Sequence, residues 1–156
     1  MNVYEERNIM EKNVCINIKS VQNSDEGEDV TELFTYGKMK KINSDNYCVS
    51  YEETNAMGFE GCRVTLYISR NEVRLLRSGN ASADLVIERG KKHHCHYGTP
   101  YGDFMVGINT DALKNEVGER GGDLYLKYTV DVNSGFLSEN EMFINIKECS
   151  RENKGE

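Results

Sequence analysis

Apolar residues recur at every second position in one short segment of this chain after another, and turn residues separate the segments. Segment 63–68 places Val64, Leu66 and Ile68 on one side of an extended chain, and segments 104–109 and 124–131 repeat the alternation. A period of two residues is that of a β-strand with one buried face. A long series of such strands predicts a sandwich or a barrel.

Most links between these segments have the length and chemistry of hairpin turns. Residues 43–46 and 69–72 form two of them, and Asn133-Ser134-Gly135 offers Gly135 for the left-handed position of a three-residue turn. Neighbouring strands are therefore expected to pair antiparallel. The longer link 111–121 is expected to hold a helical turn capped by Thr110 or Asp111. The predicted strands are 13–22, 29–40, 46–54, 61–69, 72–78, 83–89, 93–99, 103–110, 122–132 and 140–149.

A meander of this kind leaves two open sheet edges unless the sheet closes on itself. Closure removes the edges, so the sequence predicts an all-β fold, an antiparallel up-and-down barrel of about eight to ten strands, with a β-sandwich as the second choice. The barrel domain is predicted over 13–149, after an N-terminal arm at 1–12 and before a disordered tail at 150–156. A barrel of this size is either filled by side chains or holds one small ligand.

Charge and cysteine content exclude several classes of partner. The 156 residues carry a formal net charge of −7, which disfavours nucleic acid and anionic membranes because both need Lys and Arg to neutralise phosphate. No segment approaches the length of a membrane span, and the charged N-terminus has no apolar signal core. The five cysteines are odd in number and lack the two-residue spacing of metal or redox motifs. We therefore expect a cytoplasmic protein without disulfides.

Several short motifs follow one another in order over residues 13–148. They are Thr35-Tyr36-Gly37, Tyr51-Glu52-Glu53-Thr54, residues 61–68, Arg77-Ser78-Gly79, Thr99-Pro100-Tyr101-Gly102 and Thr110. In this order and spacing they resemble the YwiB-like family of bacterial proteins, a domain of unknown function with a calycin-like, lipocalin-related β-barrel. The resemblance implies a fold and a compartment, but it transfers no catalytic residue.

Two charged residues end strand faces that are otherwise apolar. Glu53 shares a face with Val49 and Tyr51, and Arg77 shares a face with Val73 and Leu75. If these faces point inward, each charge needs a partner, and a contact between them is expected to reach across the lumen. Three interpretations follow: an anchor for a carboxylate-bearing or otherwise polar ligand, an ion pair that plugs the barrel end, or two groups in solvent.

Tyrosines are the second candidate feature, with nine in the chain and no tryptophan. Their apolar rings and polar hydroxyls suit the wall of a ligand cavity, although tyrosines in strands are more often ordinary sheet residues. Tyr51 and Tyr128 complete, with Glu53 and Arg77, the predicted ligand-binding set. The tyrosines within predicted strands are Tyr47, Tyr51, Tyr67, Tyr125 and Tyr128.

All three histidines lie in the segment His93-His94-Cys95-His96. On a strand, His94 and His96 project from one face, a spacing that would chelate zinc if a neighbouring strand supplied a third ligand. These two residues are weak metal candidates, because no further ligand is indicated by the sequence and an exposed edge strand with polar side chains is the more common explanation. Cys95 points to the opposite face from His94 and is a poor partner for nucleophilic catalysis.

The sequence favours a binding protein over an enzyme, since no nucleophile or acid–base pair stands out. We predict a small molecule bound in, or at the mouth of, the barrel, with no cofactor. The first alternative is a protein-interaction module whose barrel is filled, and the second is an enzyme working in the barrel mouth. The size of the interior cavity discriminates between the first two.

Overall fold

The computed structural model describes residues 11–53, 61–133 and 135–149, and within them the chain is entirely β-strand, turn and loop. The predicted all-β fold is confirmed. No helix in these residues is long and apolar enough to cross a membrane. The ten strands are β1 (Glu11–Ser24), β2 (Gly27–Asn43), β3 (Asn46–Glu52), β4 (Arg63–Ile68), β5 (Glu72–Ser78), β6 (Ser82–Glu88), β7 (Lys92–Thr99), β8 (Gly102–Asn115), β9 (Gly121–Val132) and β10 (Gly135–Glu148).

Each strand pairs antiparallel with its neighbours in sequence, and β1 pairs with β10 to close the barrel. The closing ladder runs from Val14 opposite Glu148 to Ser24 opposite Ser138. Every described strand therefore has two neighbours in the ring, although the first part of β2, residues 27–36, pairs with β1 alone among the described strands. The predicted up-and-down barrel is confirmed, and the sandwich is not.

Inward faces of the strands carry the apolar alternation and form one core. The side chains that are almost completely buried are branched and aliphatic, which suits the pleated inner surface of a barrel. Burying each of them contributes about 1.5–3 kcal/mol relative to exposure. The largest are Ile16, Leu66, Ile68, Ile87, Ile108, Leu113, Leu124, Leu126, Ile144 and Ile146.

The helical turn predicted over 111–121 is wrong. Strand β8 continues to Asn115 through a register shift between Thr110 and Ala112. The extra residue of this bulge makes Thr110 and Leu113 the buried positions, so their spacing becomes three instead of two. The two-residue period breaks at this bulge, so the predicted strand stops at 110 and the following residues are interpreted as a long link.

Other boundaries differ by smaller amounts. In the turn between β9 and β10 the left-handed residue is Asn133, with a φ of 53°, whereas Gly135 begins β10 opposite Val132. Asparagine is among the residues that tolerate this conformation. Strand β1 begins at Glu11, inside the predicted arm, and β3 ends at Glu52. The rest of the arm, the tail from residue 150 and Thr54 lie outside the described residues.

Candidate functional site

One end of the barrel opens into a cavity of about 420 Å³. Strands β1, β3, β5, β7 and β9 end at this mouth, and β2, β8 and β10 begin there, so side chains from most of the wall converge on it. The core side chains fill the barrel below. The described residues that line the cavity are Ser20, Val21, Gln22, Asp29, Thr31, Tyr51, Glu53, Leu75, Arg77, Leu85, Tyr97, Val106, Ile108, Tyr128, Val130, Leu137, Ser138, Asn140, Glu141 and Met142.

Glu53 and Arg77 form a buried ion pair at the mouth. Arg77 Nε donates to Glu53 Oε1 at 2.8 Å, and a terminal guanidinium nitrogen donates to Oε2 at 3.0 Å. The Arg77 side chain is 11% exposed and the Glu53 side chain is 1% exposed. This fork-to-fork geometry is the strongest arrangement open to a guanidinium and a carboxylate. The pair excludes the interpretation in which both charges lie in solvent.

Strand register explains how the two residues meet. Arg77 lies opposite Val64 on β4, and Val64 lies opposite Tyr51 on β3. Glu53 follows β3 directly, and its N–H donates to the carbonyl of Cys62 at 2.9 Å. The pair therefore spans one intervening strand along the wall. The sequence-based expectation of a contact across the lumen is wrong, because two strand spacings are within reach of an arginine and a glutamate side chain.

Burial acts to lower the pKa of the Arg77 guanidinium, but the hydrogen bonds and charge of Glu53 outweigh it, and the pKa is raised overall. Arg77 therefore stays protonated, and its charge is paired with the Glu53 carboxylate. An always-charged guanidinium is suited to this role because it cannot escape desolvation by losing its proton.

Tyr51 and Tyr128 lie in the same cavity, so the structure brings together all four residues of the predicted ligand-binding set. Burial raises the pKa of Tyr51, and the Glu53 carboxylate adds to the increase. Burial also raises the pKa of Tyr128 to about 12. The Tyr128 hydroxyl donates to Met142 Sδ at 3.9 Å. Both phenols are therefore neutral hydrogen-bonding groups at physiological pH.

Tyr97 is a third tyrosine of the cavity that the sequence analysis missed. It continues the face of His93 and Cys95 on β7, and Cys95 is 4% exposed. That shared face was the available signal, but the histidines made the segment resemble an exposed edge. The other tyrosines of the predicted strands do not line the cavity. Tyr47 is buried, Tyr67 is exposed, and the Tyr125 hydroxyl donates a hydrogen bond to Glu141.

A second side of the cavity consists of small polar groups that were also missed. Ser20 and Gln22 extend the inward face of Ile16 and Ile18 on β1. Asn140 Nδ2 donates to Ser138 Oγ at 3.0 Å on β10. These residues occupy inward positions near the mouth, where the inward face of the strand changes from apolar to polar. Hydrophobic patterning cannot detect that continuation.

The histidine segment gives no metal centre in the described residues. His94 and His96 are exposed, and His93 faces Glu88, with Nε2 to Oε1 at 2.8 Å. Within 11–53, 61–133 and 135–149 no three His, Cys, Asp or Glu side chains are grouped so as to hold a metal ion.

A larger groove of about 750 Å³ lies on the outer face of strands β1, β2, β8, β9 and β10. Phe34 packs edge-on against Tyr36, and Tyr125 packs at a tilt against Phe143. The side chains that project into this groove are mostly half-exposed, and Lys19, Glu32 and Lys114 lie among them. The groove is thus a shallow amphipathic surface, whereas the mouth cavity is enclosed by the wall.

Comparison with known proteins identifies the fold and a family. The family described as "Domain of unknown function (DUF1934)" matches residues 16–144. The crystal structure of the YwiB protein from Bacillus subtilis superimposes with a TM-score of 0.78 over 94% of this chain and 99% of that one, at 19% sequence identity. No curated protein matches the chain. The sequence-based assignment to a YwiB-like family is confirmed.

Proposed function

The chain belongs to the DUF1934 family, whose description assigns no activity, and we propose that it binds a small molecule in the mouth of its barrel. The observation that carries this proposal is the unfilled cavity of about 420 Å³. That volume lies within the range of small-molecule pockets, which usually combine an apolar lining with a few placed polar groups.

The lining has this mixed character. Leu75, Leu85, Val106 and Ile108 supply an apolar surface, and the ion pair, the tyrosines and the amides supply polar groups around it. An apolar ligand body would gain from leaving water, and its polar end would find hydrogen-bonding partners. This is a calycin-like use of a barrel: the wall provides rigidity and the mouth provides recognition.

The alternatives receive less support. A protein-interaction module with a filled barrel does not need an open mouth, and this barrel is filled only in its lower part. For an enzyme, the described lining holds no histidine or cysteine. Of its carboxylates, Glu53 is already bonded to arginine and Asp29 has no nucleophile or acid partner among the lining residues, so no acid–base pair is apparent. We place the protein in a reducing compartment such as the cytoplasm, because all five cysteines are free thiols.

Native mass spectrometry of the protein purified from its own host tests the proposal. A co-purifying molecule is expected in the wild type. Val106→Phe fills the cavity and is expected to lose that molecule. Val30→Phe is the matched control, since Val30 is 48% exposed and lies outside the cavity lining.

Circular dichroism establishes whether both variants keep the barrel, and Val130→Phe offers a second way to fill the cavity. If a co-purifying molecule stays bound to both folded cavity-filling variants, it does not occupy the mouth. That result would refute the proposed site.

A further inference from the structure

We propose that the ligand of the mouth cavity is an uncharged amphipathic molecule, with an apolar body and a hydroxyl or amide end, and that carboxylates are rejected. This inference rests on the proposed function and names the class of ligand. Its basis is the distribution of charge and polarity around the cavity.

The cation at the mouth is already neutralised. Glu53 receives two hydrogen bonds from Arg77, at 2.8 and 3.0 Å, and its side chain is 1% exposed. A ligand carboxylate that took over the guanidinium would leave Glu53 as an unpaired charge in a site almost closed to water. An unpaired buried charge is strongly unfavourable, so the resident carboxylate outcompetes an incoming one.

The other charges around the cavity also oppose an anion. Among the described lining residues, the carboxylates of Asp29 and Glu53 accompany the single guanidinium of Arg77. The Glu141 carboxylate accepts a hydrogen bond from Tyr125 on the outer face of the wall and does not face the cavity. Tyr51 and Tyr128 add no negative charge at neutral pH, since burial raises the pKa of Tyr51 and raises that of Tyr128 to about 12. An anion entering the mouth would meet a net negative potential.

Neutral groups supply the remaining polar contacts. Hydroxyls and amides of Ser20, Gln22, Thr31, Ser138 and Asn140 line the side formed by β1, β2 and β10. Such groups both donate and accept hydrogen bonds, which matches a hydroxyl or amide better than an ammonium. On the opposite side, the apolar surface leaves room for a ring or an alkyl chain.

A matched probe series tests the class directly. Naphthamide, naphthoate and naphthylmethylammonium share one aromatic body and differ in charge. Isothermal titration calorimetry at neutral pH is expected to give naphthamide the lowest Kd, about tenfold below that of naphthoate. The ammonium probe is expected to bind more weakly than naphthamide.

Glu53→Gln provides the decisive variant, because it removes the negative charge that neutralises Arg77. Naphthoate affinity is expected to rise about tenfold in this variant, with naphthamide affinity changing less than about twofold. If Glu53→Gln does not fold, Glu53→Gln/Arg77→Met leaves no stranded charge, and it should keep the preference for naphthamide because the Asp29 carboxylate remains.

The outcomes separate the two proposals. Equal or tighter binding of naphthoate to the wild type overturns the charge class, yet it supports a ligand-binding mouth. Tightest binding of the ammonium probe likewise overturns the uncharged class. If no probe binds below about 1 mM, and purified protein carries no bound molecule, the proposed function itself is refuted.

Discussion

Strand β5 carries two arginines that face opposite sides of the barrel wall. Arg77 forms its fork with Glu53 inside, where the side chains are 11% and 1% exposed. Arg74 forms a fork of similar geometry with Asp84 outside, at 2.9 and 2.8 Å, with side chains 47% and 39% exposed. Strand β5 thus carries two arginine–carboxylate pairs of similar geometry, one buried and one exposed, and comparing them isolates the effect of burial.

We predict that Arg77→Met lowers the free energy of unfolding by about 3–5 kcal/mol, since it strands the Glu53 carboxylate in the wall. Replacing both members, as Glu53→Gln/Arg77→Met, should recover much of this loss because no charge is left unpaired. Urea unfolding of the wild type, both single variants and the double variant measures the coupling between the two residues.

Arg74→Met is the matched control, and it should cost far less than Arg77→Met because water screens exposed pairs. Two results together would contradict a buried pair. Glu53→Gln and Arg77→Met would each cost as little stability as Arg74→Met, and the double variant would cost the sum of the two.

Thr110 is a buried polar residue whose hydroxyl is unsatisfied: its Oγ1 lacks a hydrogen-bond partner within the described part of the chain. Its strand partner is Tyr128, one of the cavity tyrosines. We predict that Thr110→Val, which keeps the shape and removes the hydroxyl, raises the free energy of unfolding by about 1 kcal/mol. Chemical denaturation of the ligand-free protein checks this. A loss of stability would instead indicate that a bound water satisfies the hydroxyl.

At the level of elements, a single glycine allows β2 to lie close to its neighbours on both sides. Gly37 lies where β2 pairs with both β1 and β3, opposite Val14 on one side and Tyr51 on the other. A Cβ at this position would clash with the backbone carbonyl of Ser50 and with Ile16 Cδ1. The side chain of Ile16 thus occupies the space that Gly37 leaves empty.

We predict that Gly37→Ala destabilises the barrel by about 1–3 kcal/mol or more, because a backbone carbonyl cannot move aside as a flexible side chain does. Gly118→Ala is the control. A Cβ at Gly118 meets nothing within 4 Å, so that substitution should be neutral or slightly stabilising. Thermal unfolding of both variants by calorimetry provides the measurement. Equal melting temperatures for the two would show that β2 adjusts without cost.

The same elements show how far sequence reasoning reaches. Alternation located the strands because most inward positions below the mouth are apolar, as in Val64, Leu66 and Ile68. It failed at Thr110 and Leu113, where a bulge changes the period, and at Ser20 and Gln22, where the inward face becomes polar. The hydrophobic pattern of a segment predicts its secondary structure, but it predicts neither the bulge in β8 nor the cavity at the mouth.

At the scale of the whole molecule, closure turns residues that are distant in sequence into one site. Glu53 and Arg77 were predicted as a pair from their places at the ends of apolar faces, and the structure joins them directly. The face that Tyr97 shares with Cys95 was its one sequence signal, and Asn140 had none. Their convergence depends on the closing ladder between β1 and β10 and on the size of the ring. Strand patterns therefore predict some of the polar groups at the mouth, but which of them meet depends on the tertiary structure.

Closure also buries tyrosines, which makes the barrel sensitive to alkali. Burial raises the pKa of Tyr128 from its usual 10.0 to about 12, and it also raises the pKa of Tyr51. The folded state holds these phenol protons more tightly than the unfolded state does, so their contribution to stability is complete below pH 10. It is lost as the pH rises through the folded pKa values.

We therefore predict that the free energy of unfolding falls between about pH 10 and pH 12, by up to about 1.4 kcal/mol per pH unit for each tyrosine retained as the phenol. Tyr51→Phe and Tyr128→Phe should each make this decline shallower, because one titrating group is removed. Tyr67→Phe should leave the slope unchanged, since Tyr67 is 40% exposed on the outer face. Urea unfolding at several alkaline pH values gives the slopes. Identical slopes in the wild type and all three variants would mean that the inner phenols ionise as freely as outer ones, and that the mouth is open to water.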